Sequence, residues 1–217
     1  MSQSLNSHVS LDEVIRNYPS LHRLPDGTPR FLGISGAAFK HIFELLHEGT
    51  QTAETGAGFS SLAFILKGTN HTAICPDTYL EKNIRDWCDL HRVDHSRFTY
   101  YCAKSQDVLP ELDGELDLAF VDGDHAFPIP MIDYYYLARR LKPGGHMIID
   151  DTQIWTGEVI SKHLALDRNW EFIHEYDEKT SIFRLNAPFE DKGFGAQPFV
   201  LANSRRLSPS MQAALRR

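Results

Sequence analysis

The sequence has few cysteines, no long apolar run and no excess of basic residues. Its three cysteines, Cys75, Cys88 and Cys102, have no paired CxxC spacing, so they predict neither a disulfide framework nor a structural zinc site. No apolar run approaches the length of a membrane span, and residues 1–12 are polar, unlike a secretory signal. These absences favour a cytoplasmic protein that does not contact membranes.

Acidic residues outnumber basic ones, which gives a formal net charge of −7 and a pI near 5.8. Nucleic acid would be repelled unless a local basic patch attracted it, and pairs such as Arg139-Arg140 are too short to form one. A small-molecule substrate is the better expectation, and assembly into a homo-oligomer stays open. The 217 residues, 42% of them hydrophobic, suit one globular domain.

Short strand-like runs, mostly separated by helix-length segments, predict a parallel sheet built from βαβ units. They are Gln51–Thr55, 71–75, 98–102, Leu116–Val121 and 146–150. Because Pro-Gly-Gly follows Leu141-Lys142, the helix before the fifth run is expected to end there. Two further runs, 170–174 and 181–185, lie too close together for a crossover helix and predict an antiparallel hairpin.

The regions flanking this pattern are less regular. Residues 19–30 are rich in Pro, Gly and Arg and predict a loop or lid, whereas Ser35 could cap a helix with apolar residues at helical spacing. We therefore divide the chain into an N-terminal helix and lid segment at 1–34, a central domain at 35–185, and a C-terminal extension at 186–217.

A glycine loop follows the first strand. Gly56 and Gly58 precede a helix-like stretch at 61–66, so a ligand can approach bare backbone, and the free N–H groups at the helix start favour an anion such as a carboxylate. Glu54, just before the loop, could meet a cationic amine, which favours a cofactor that carries methionine over one that carries pyrophosphate. The alternative is a plain tight turn.

With this loop the sequence resembles the class I methyltransferases over roughly residues 35–185. It is most similar to the metal-dependent O-methyltransferases typified by catechol O-methyltransferase and some bacterial sugar O-methyltransferases. The resemblance implies S-adenosylmethionine as cofactor and an α/β, Rossmann-like sheet of seven strands, mostly parallel with a C-terminal antiparallel hairpin and helices on both faces. It also implies methionine-end contacts from Glu54, Gly56, Gly58 and Ser60.

Two further positions concern the rest of the cofactor. Ser105-Gln106 matches the family pair that contacts adenine, although Ser105 could instead be a polar helix cap. The family places an acid at the end of the second strand to bind the ribose hydroxyls, but Cys75 stands there. Asp77, two residues later, is our candidate ribose partner.

Acidic residues follow two neighbouring strands, with Asp122 and Asp124 after one and Asp150-Asp151 after the next. Parallel strands bring these carboxylates to one sheet edge, where they repel unless a cation, protons or water intervene. Oxygen ligands suit a divalent cation such as Mg²⁺, and the resemblance implies that Asp122, Asp150 and Asp151 bind it, with Asp122 also at the cofactor. The alternative is that these acids form turns and helix caps.

His125 is the candidate general base, because it stands three residues after Asp122, where the family carries a lysine or a histidine. The sequence therefore predicts a Mg²⁺-dependent O-methyltransferase acting on a hydroxyl of a small molecule that is catechol-, vicinal diol- or sugar-like.

The sequence is compatible with two functions other than an O-methyltransferase. The stretch 56–61 is one residue from GxGxxG, and Asp77 lies about 20 residues on, as in nicotinamide dehydrogenases. The predicted hairpin and the acidic residues argue against that class. A non-catalytic or repurposed methyltransferase-like protein is suggested by Cys75 and by the extension at 186–217.

Overall fold

The predicted strands form one seven-stranded sheet in the computed structural model, which describes residues 9–24 and 26–204. The strands are β1 Gln51–Thr55, β2 Asn70–Ile74, β3 Phe98–Tyr101, β4 Leu116–Val121, β5 Leu141–Ile149, β6 Trp170–Tyr176 and β7 Thr180–Leu185. Their order is β3-β2-β1-β4-β5-β7-β6. The first five run parallel, while β7 is antiparallel to both β5 and β6. The predicted α/β sheet with its closing hairpin is confirmed.

Helices connect the strands and extend at both ends of the described chain. They are α1 Leu11–Asn17, α2 Gly36–Leu45, α3 Phe59–Leu66, α4 Leu80–Leu90, α5 Ser105–Val108, α6 Ile129–Ala138, α7 Trp155–Leu166 and α8 Pro198–Asn203. Ser35 caps α2 as predicted, since its Oγ accepts a hydrogen bond from the N–H of Ala38 at 3.3 Å. Within the described ranges, every helix is too short or too polar to span a lipid bilayer.

Successive strand residues point to opposite sides of the sheet, and apolar side chains are buried on both of its faces. In β4, Leu118 and Phe120 join the core formed with α2, α3 and α4. Ala119 and Val121 join the core formed with α6 and α7. With both faces covered by helices, as predicted, a ligand can reach the sheet at the carboxyl ends of its strands.

The start of β5 corrects one prediction. The helix does not run to Leu141-Lys142 but ends at Ala138, and Leu141 already pairs with Leu116 of β4. The pairing then shifts, so that Leu118 lies opposite His146. The Pro-Gly-Gly stretch, 143–145, is therefore an irregularity inside β5 that absorbs the extra residues, not a stop between helix and strand.

The flanking segments pack onto this framework. Residues 19–30 are not all loop, because His22–Arg23 and Pro29–Arg30 form a short antiparallel ribbon. At the other end, Lys192 donates hydrogen bonds to Asp167 at 2.6 and 2.9 Å, which ties the extension to the end of α7. Residues 205–217 of the predicted extension lie outside the described part, and the three-part division of the chain stays a prediction.

Candidate active site

A cavity of about 610 Å³ opens at the carboxyl ends of β1, β2, β4 and β5. It brings together most of the predicted site residues, namely Gly56, Ser60, Ser105, Gln106, Asp122, His125, Asp150 and Asp151. Three predicted cofactor residues, Glu54, Gly58 and Asp77, are not among its described lining residues. A second cavity, of about 550 Å³, lies between α6, α7 and the extension, away from every predicted residue.

The glycine loop needs both of its glycines for steric reasons. Gly56 has a φ of +84°, and a Cβ there would lie 2.1 Å from the backbone oxygen of Asp122. Gly58 has a φ of +148°, and its Cβ would meet the ring of His22 at 2.5 Å. Gly56 thus lets the loop pass against the end of β4, while Gly58 lets the N-terminal ribbon pack over the loop.

Glu54 supports the glycine loop through hydrogen bonds at the start of α3 and does not line the cavity. Its buried carboxylate accepts hydrogen bonds from the Oγ of Ser60 at 2.8 Å and from the Oγ of Ser61, and His71 Nε2 lies 3.0 Å from its Oε1. The His71 ring is in turn stacked between Phe64 and Phe98. These contacts place Glu54 to orient the start of α3, while its contact with a cofactor amine stays a prediction.

The cavity wall near β2 and β3 contains Cys75, Ser105 and Gln106. Burial raises the pKa of the Cys75 thiol, so this residue stays neutral at physiological pH. Asp77 lies outside the cavity lining, and its Oδ1 accepts hydrogen bonds from the N–H groups of Tyr79 and Leu80 at the start of α4. It acts as a helix cap, so the structure does not bring the predicted ribose acid to the site.

The predicted acids do meet at one edge. The N–H of Asp122 donates to Thr55 and the N–H of Asp150 to Val121, which continues the sheet hydrogen bonding into both acidic loops. Between Asp150 and Asp151 lies an ammonium that sequence reasoning missed, Lys179. It comes from the turn between β6 and β7, a contact that spans about 30 residues of chain and leaves no local sequence signal.

His125 and Asp151 form a hydrogen-bonded pair, with Nε2 2.8 Å from Oδ2. The main chain of His125 is fixed as well, because the Oγ1 of Thr156 donates to its carbonyl at 2.8 Å. Asp151 has a φ of +51°, in the left-handed region, and its carboxylate meets His125 of the loop that follows β4. His125, which its spacing from Asp122 suggested as the base, thus lies beside a carboxylate that orients its ring.

The surroundings of Asp151 and Asp122 shift their pKa values in opposite directions. The hydrogen bond that His125 donates to Asp151 raises the pKa of His125, and the same bond holds the pKa of Asp151 well below its usual range. Asp122 behaves differently: burial, reinforced by the neighbouring Asp150 and Asp151, raises its pKa. The cluster thus contains an anion paired with His125 beside a carboxyl that tends to keep its proton.

Asp133 of α6 is a second residue that the sequence analysis missed. It is completely buried, and among the described residues neither of its oxygens has a hydrogen-bond partner. Burial raises its pKa to about 6, although the nearby hydroxyls of Ser105 and Thr55 partly offset this. One signal was available: an acid on the buried stripe of α6, four residues before Leu137.

A family model described as a methyltransferase domain matches residues 53–152, from β1 to the loop after β5. No curated protein matches the chain.

Solved structures resemble it over most of its length. TomG from Streptomyces achromogenes, an O-methyltransferase of tomaymycin synthesis in complex with SAM, is 16% identical and has a TM-score of 0.65, over 85% of this chain and 93% of that one. The SAH-bound methyltransferase PaMTH1 from Podospora anserina is 16% identical with a TM-score of 0.60, over 84% and 91%. Cofactor-bound Rv0187 from MTB is 15% identical with a TM-score of 0.59, over 72% and 83%. Likenesses at such low identity establish the fold alone.

Proposed function

We propose that the chain is a class I methyltransferase and that it transfers the sulfonium methyl of S-adenosylmethionine to a hydroxyl of a small molecule. The match of a methyltransferase-domain model to residues 53–152 and the strand order of the sheet support this. One observation carries the proposal: a single cavity joins the glycine loop and Ser105-Gln106 to the pair of His125 and Asp151. Related folds solved with SAM or SAH support the choice of cofactor.

The cofactor is assigned to the side of the cavity formed after β1, β2 and β3. Gly56, together with Ser60 in the first turn of α3, offers bare backbone and a helix start to the methionine carboxylate. Ser105 and Gln106 are assigned to adenine. Cys75 lies where the ribose would pass, and as a neutral thiol it supplies weaker hydrogen bonds than the family's acid.

His125 is assigned as the general base. If its Nε2–H donates to Asp151, the Nδ1 lone pair remains to accept the proton of the acceptor hydroxyl. The hydroxyl oxygen then bonds to the methyl carbon, the carbon–sulfur bond breaks, and its electron pair stays on sulfur in S-adenosylhomocysteine. The enzyme contributes mainly by aligning oxygen, carbon and sulfur in one cavity.

The predicted Mg²⁺ does not fit the acid cluster as it stands. Asp150 accepts a hydrogen bond from the Oγ1 of Thr180 and lies 3.3 Å from the Lys179 ammonium, while Asp151 is shared between Lys179 and His125. Donor atoms of Asp122, His125 and Asp151 do lie within 4.8 Å of one another. A cation there would bind the imidazole that is needed as base, so the proposed reaction involves no metal.

The acceptor is proposed to be a catechol-, vicinal diol- or sugar-like molecule. Two exposed aromatic side chains flank the His125 loop, with ring centroids 6.3 Å apart. Phe127 follows His125 by two residues, and Trp155 precedes Thr156, which donates a hydrogen bond to the His125 carbonyl. Flat apolar surfaces of this kind favour the catechol class, because an aromatic acceptor would gain stacking contacts there. Among the described residues, no feature favours the nicotinamide alternative over this assignment.

Calorimetric titration with S-adenosylhomocysteine and with NAD tests the cofactor. We expect binding of S-adenosylhomocysteine only, and at a hundred times its Kd it should add about 2.7 kcal/mol to the free energy of unfolding. A second arm measures transfer of a labelled methyl from S-adenosylmethionine to caffeate, a catechol, and to a methyl glycoside, a sugar-like diol. Binding of NAD without S-adenosylhomocysteine would contradict the proposal.

A further inference from the structure

Lys179 is delivered to the acid cluster by a tight turn. Asp177 and Glu178, which link β6 to β7, both have positive φ angles, +54° and +51°, the backbone of a two-residue hairpin turn that suits the twist of its strands. The N–H of Lys179 closes this turn on the carbonyl of Tyr176 at 2.9 Å. The side chain therefore starts from a fixed position at the edge where β5 ends.

The main chain of Lys179 is also joined to the acidic loop. Its carbonyl accepts hydrogen bonds from both the N–H and the Oγ1 of Thr152, at 2.8 and 3.0 Å. Thr152 directly follows the two acids of β5, so the hairpin and the acidic loop form one unit. A displaced Lys179 would therefore require these contacts to adjust or the side chain to change rotamer.

Three oxygens lie close to the ammonium. Its Nζ donates a hydrogen bond to the carbonyl oxygen of Gly33 at 3.0 Å and forms ion pairs with Asp150 Oδ2 and Asp151 Oδ1, each at 3.3 Å. Asp150 Oδ2 has no hydrogen-bond partner among the described residues, so the ammonium is the charge that compensates it. Asp150 is almost completely buried, with 1% of its side chain exposed, so it depends on a partner of opposite charge.

We propose that the Lys179 ammonium is the resident cation of this acid cluster. It occupies the role that a divalent ion has in the metal-dependent O-methyltransferases that the sequence resembles, so methyl transfer by this chain needs no added metal. The inference rests on the proposed function and deepens it. Lys179 and His125 line the same cavity, so the positive charge also lies beside the acceptor oxygen as it loses its proton.

Titration of the metal-free full chain with Mn²⁺, followed by the electron paramagnetic resonance signal of the free ion, tests this directly. We expect wild type and Lys179→Arg to leave the signal unchanged at micromolar Mn²⁺. Lys179→Met should bind one equivalent, with affinity increased about tenfold or more, because its acids lose their cation. Lys142→Met is the control, since Lys142 pairs with Asp117 at 2.8 Å at the other end of β4.

Micromolar binding by the wild type that Asp151→Asn abolishes would overturn the inference, because Asp151 belongs both to the Lys179 pair and to the group of donor atoms that lie within 4.8 Å of one another. Binding that persists in Asp151→Asn lies outside the cluster and agrees with the inference. Failure of folded Lys179→Met to bind Mn²⁺ would also overturn the inference. Lys179→Gln replaces Lys179→Met if that variant does not fold, and the wild-type titration tests the inference in either case. The titration requires neither cofactor nor acceptor, so loss of S-adenosylhomocysteine binding would separately show that the proposed function is wrong.

Discussion

The two sides of the cavity are built differently. The side after β1, β2 and β3 presents glycine backbone, a thiol and short polar side chains, and its acid, Glu54, is buried under the loop with its oxygens partnered. The side after β4 and β5 presents charges to the cavity, including His125, Asp151 and Lys179. The first arrangement is suited to holding a ligand and the second to moving a proton, so the two sides should fail separately.

The largest effect is expected from the charged side. His125→Ala should reduce turnover roughly 10²–10⁴-fold, the usual range for a lost general base, with little change in S-adenosylhomocysteine affinity. The defect should shrink in alkaline buffer, where the acceptor hydroxyl is already ionised. Steady-state rates of labelled methyl transfer across pH measure this, with His47→Ala, an exposed histidine, as control. A defect that does not depend on pH would limit His125 to positioning.

Glu54→Ala probes the support beneath the other side. Removing this carboxylate leaves the buried Ser60, Ser61 and His71 without their acceptor, which should reduce the free energy of unfolding by about 3–5 kcal/mol. Chemical denaturation measures the loss. Glu48→Ala, which removes an exposed ion pair with Arg97, should cost less than about 1 kcal/mol. Equal, small losses for the two variants would show that the Glu54 network adds no stability.

Asp133→Asn should stabilise the protein. The pKa of Asp133 in the folded state, about 6, lies above its ordinary value of 3.8. The native state therefore binds more protons between these values, and stability falls as pH rises through that window. Asparagine removes the ionisation, so we expect a gain of about 1–3 kcal/mol at neutral pH and none below the window. Denaturation curves at both pH values measure it, and an equal gain at both would contradict the assigned cause.

The smallest effect concerns the tuning of the base. Asp151 raises the pKa of His125, with Asp150 and Asp124 adding to the effect and burial opposing it, so the neutral base forms at higher pH than for an ordinary histidine. Turnover should accordingly rise with pH through that raised pKa. Asp151→Asn should move this rise to lower pH, as measured by the pH profile of kcat/KM. An unchanged or upward-shifted profile would exclude Asp151 as the cause.

The difference between the two sides also explains what could be predicted from the sequence. The strands, the closing hairpin and the cavity positions of Gly56, His125 and Asp150 follow from local patterns. Gly56 and Asp150 come directly after strands, and His125 lies in the short loop that follows β4. The position of Lys179 at the acid cluster and the orientation of the Glu54 side chain away from the cavity depend on contacts between distant segments. Such contacts leave no periodic signal, so the acid cluster was recognised without its cation.

The start of β5 and Asp77 show the same limit at short range. Pro-Gly-Gly is a strong stop signal, yet sheet pairing of Leu141 with Leu116 overrides it. Asp77 lies close to the expected ribose position in sequence, yet its carboxylate caps α4. In both cases the local pattern allowed two outcomes. Sheet pairing selected the outcome at Leu141, and hydrogen bonds to the next turn of the chain selected it at Asp77.

The central claim is that one side of the cavity binds the cofactor while the other performs the chemistry. Calorimetric titration of S-adenosylhomocysteine into Gln106→Ala and His125→Ala tests it most directly. Gln106→Ala should weaken binding about tenfold, the loss of about 1.4 kcal/mol expected for a hydrogen-bonding contact, and His125→Ala should match the wild type. Wild-type affinity in Gln106→Ala together with a large loss in His125→Ala would contradict the claim.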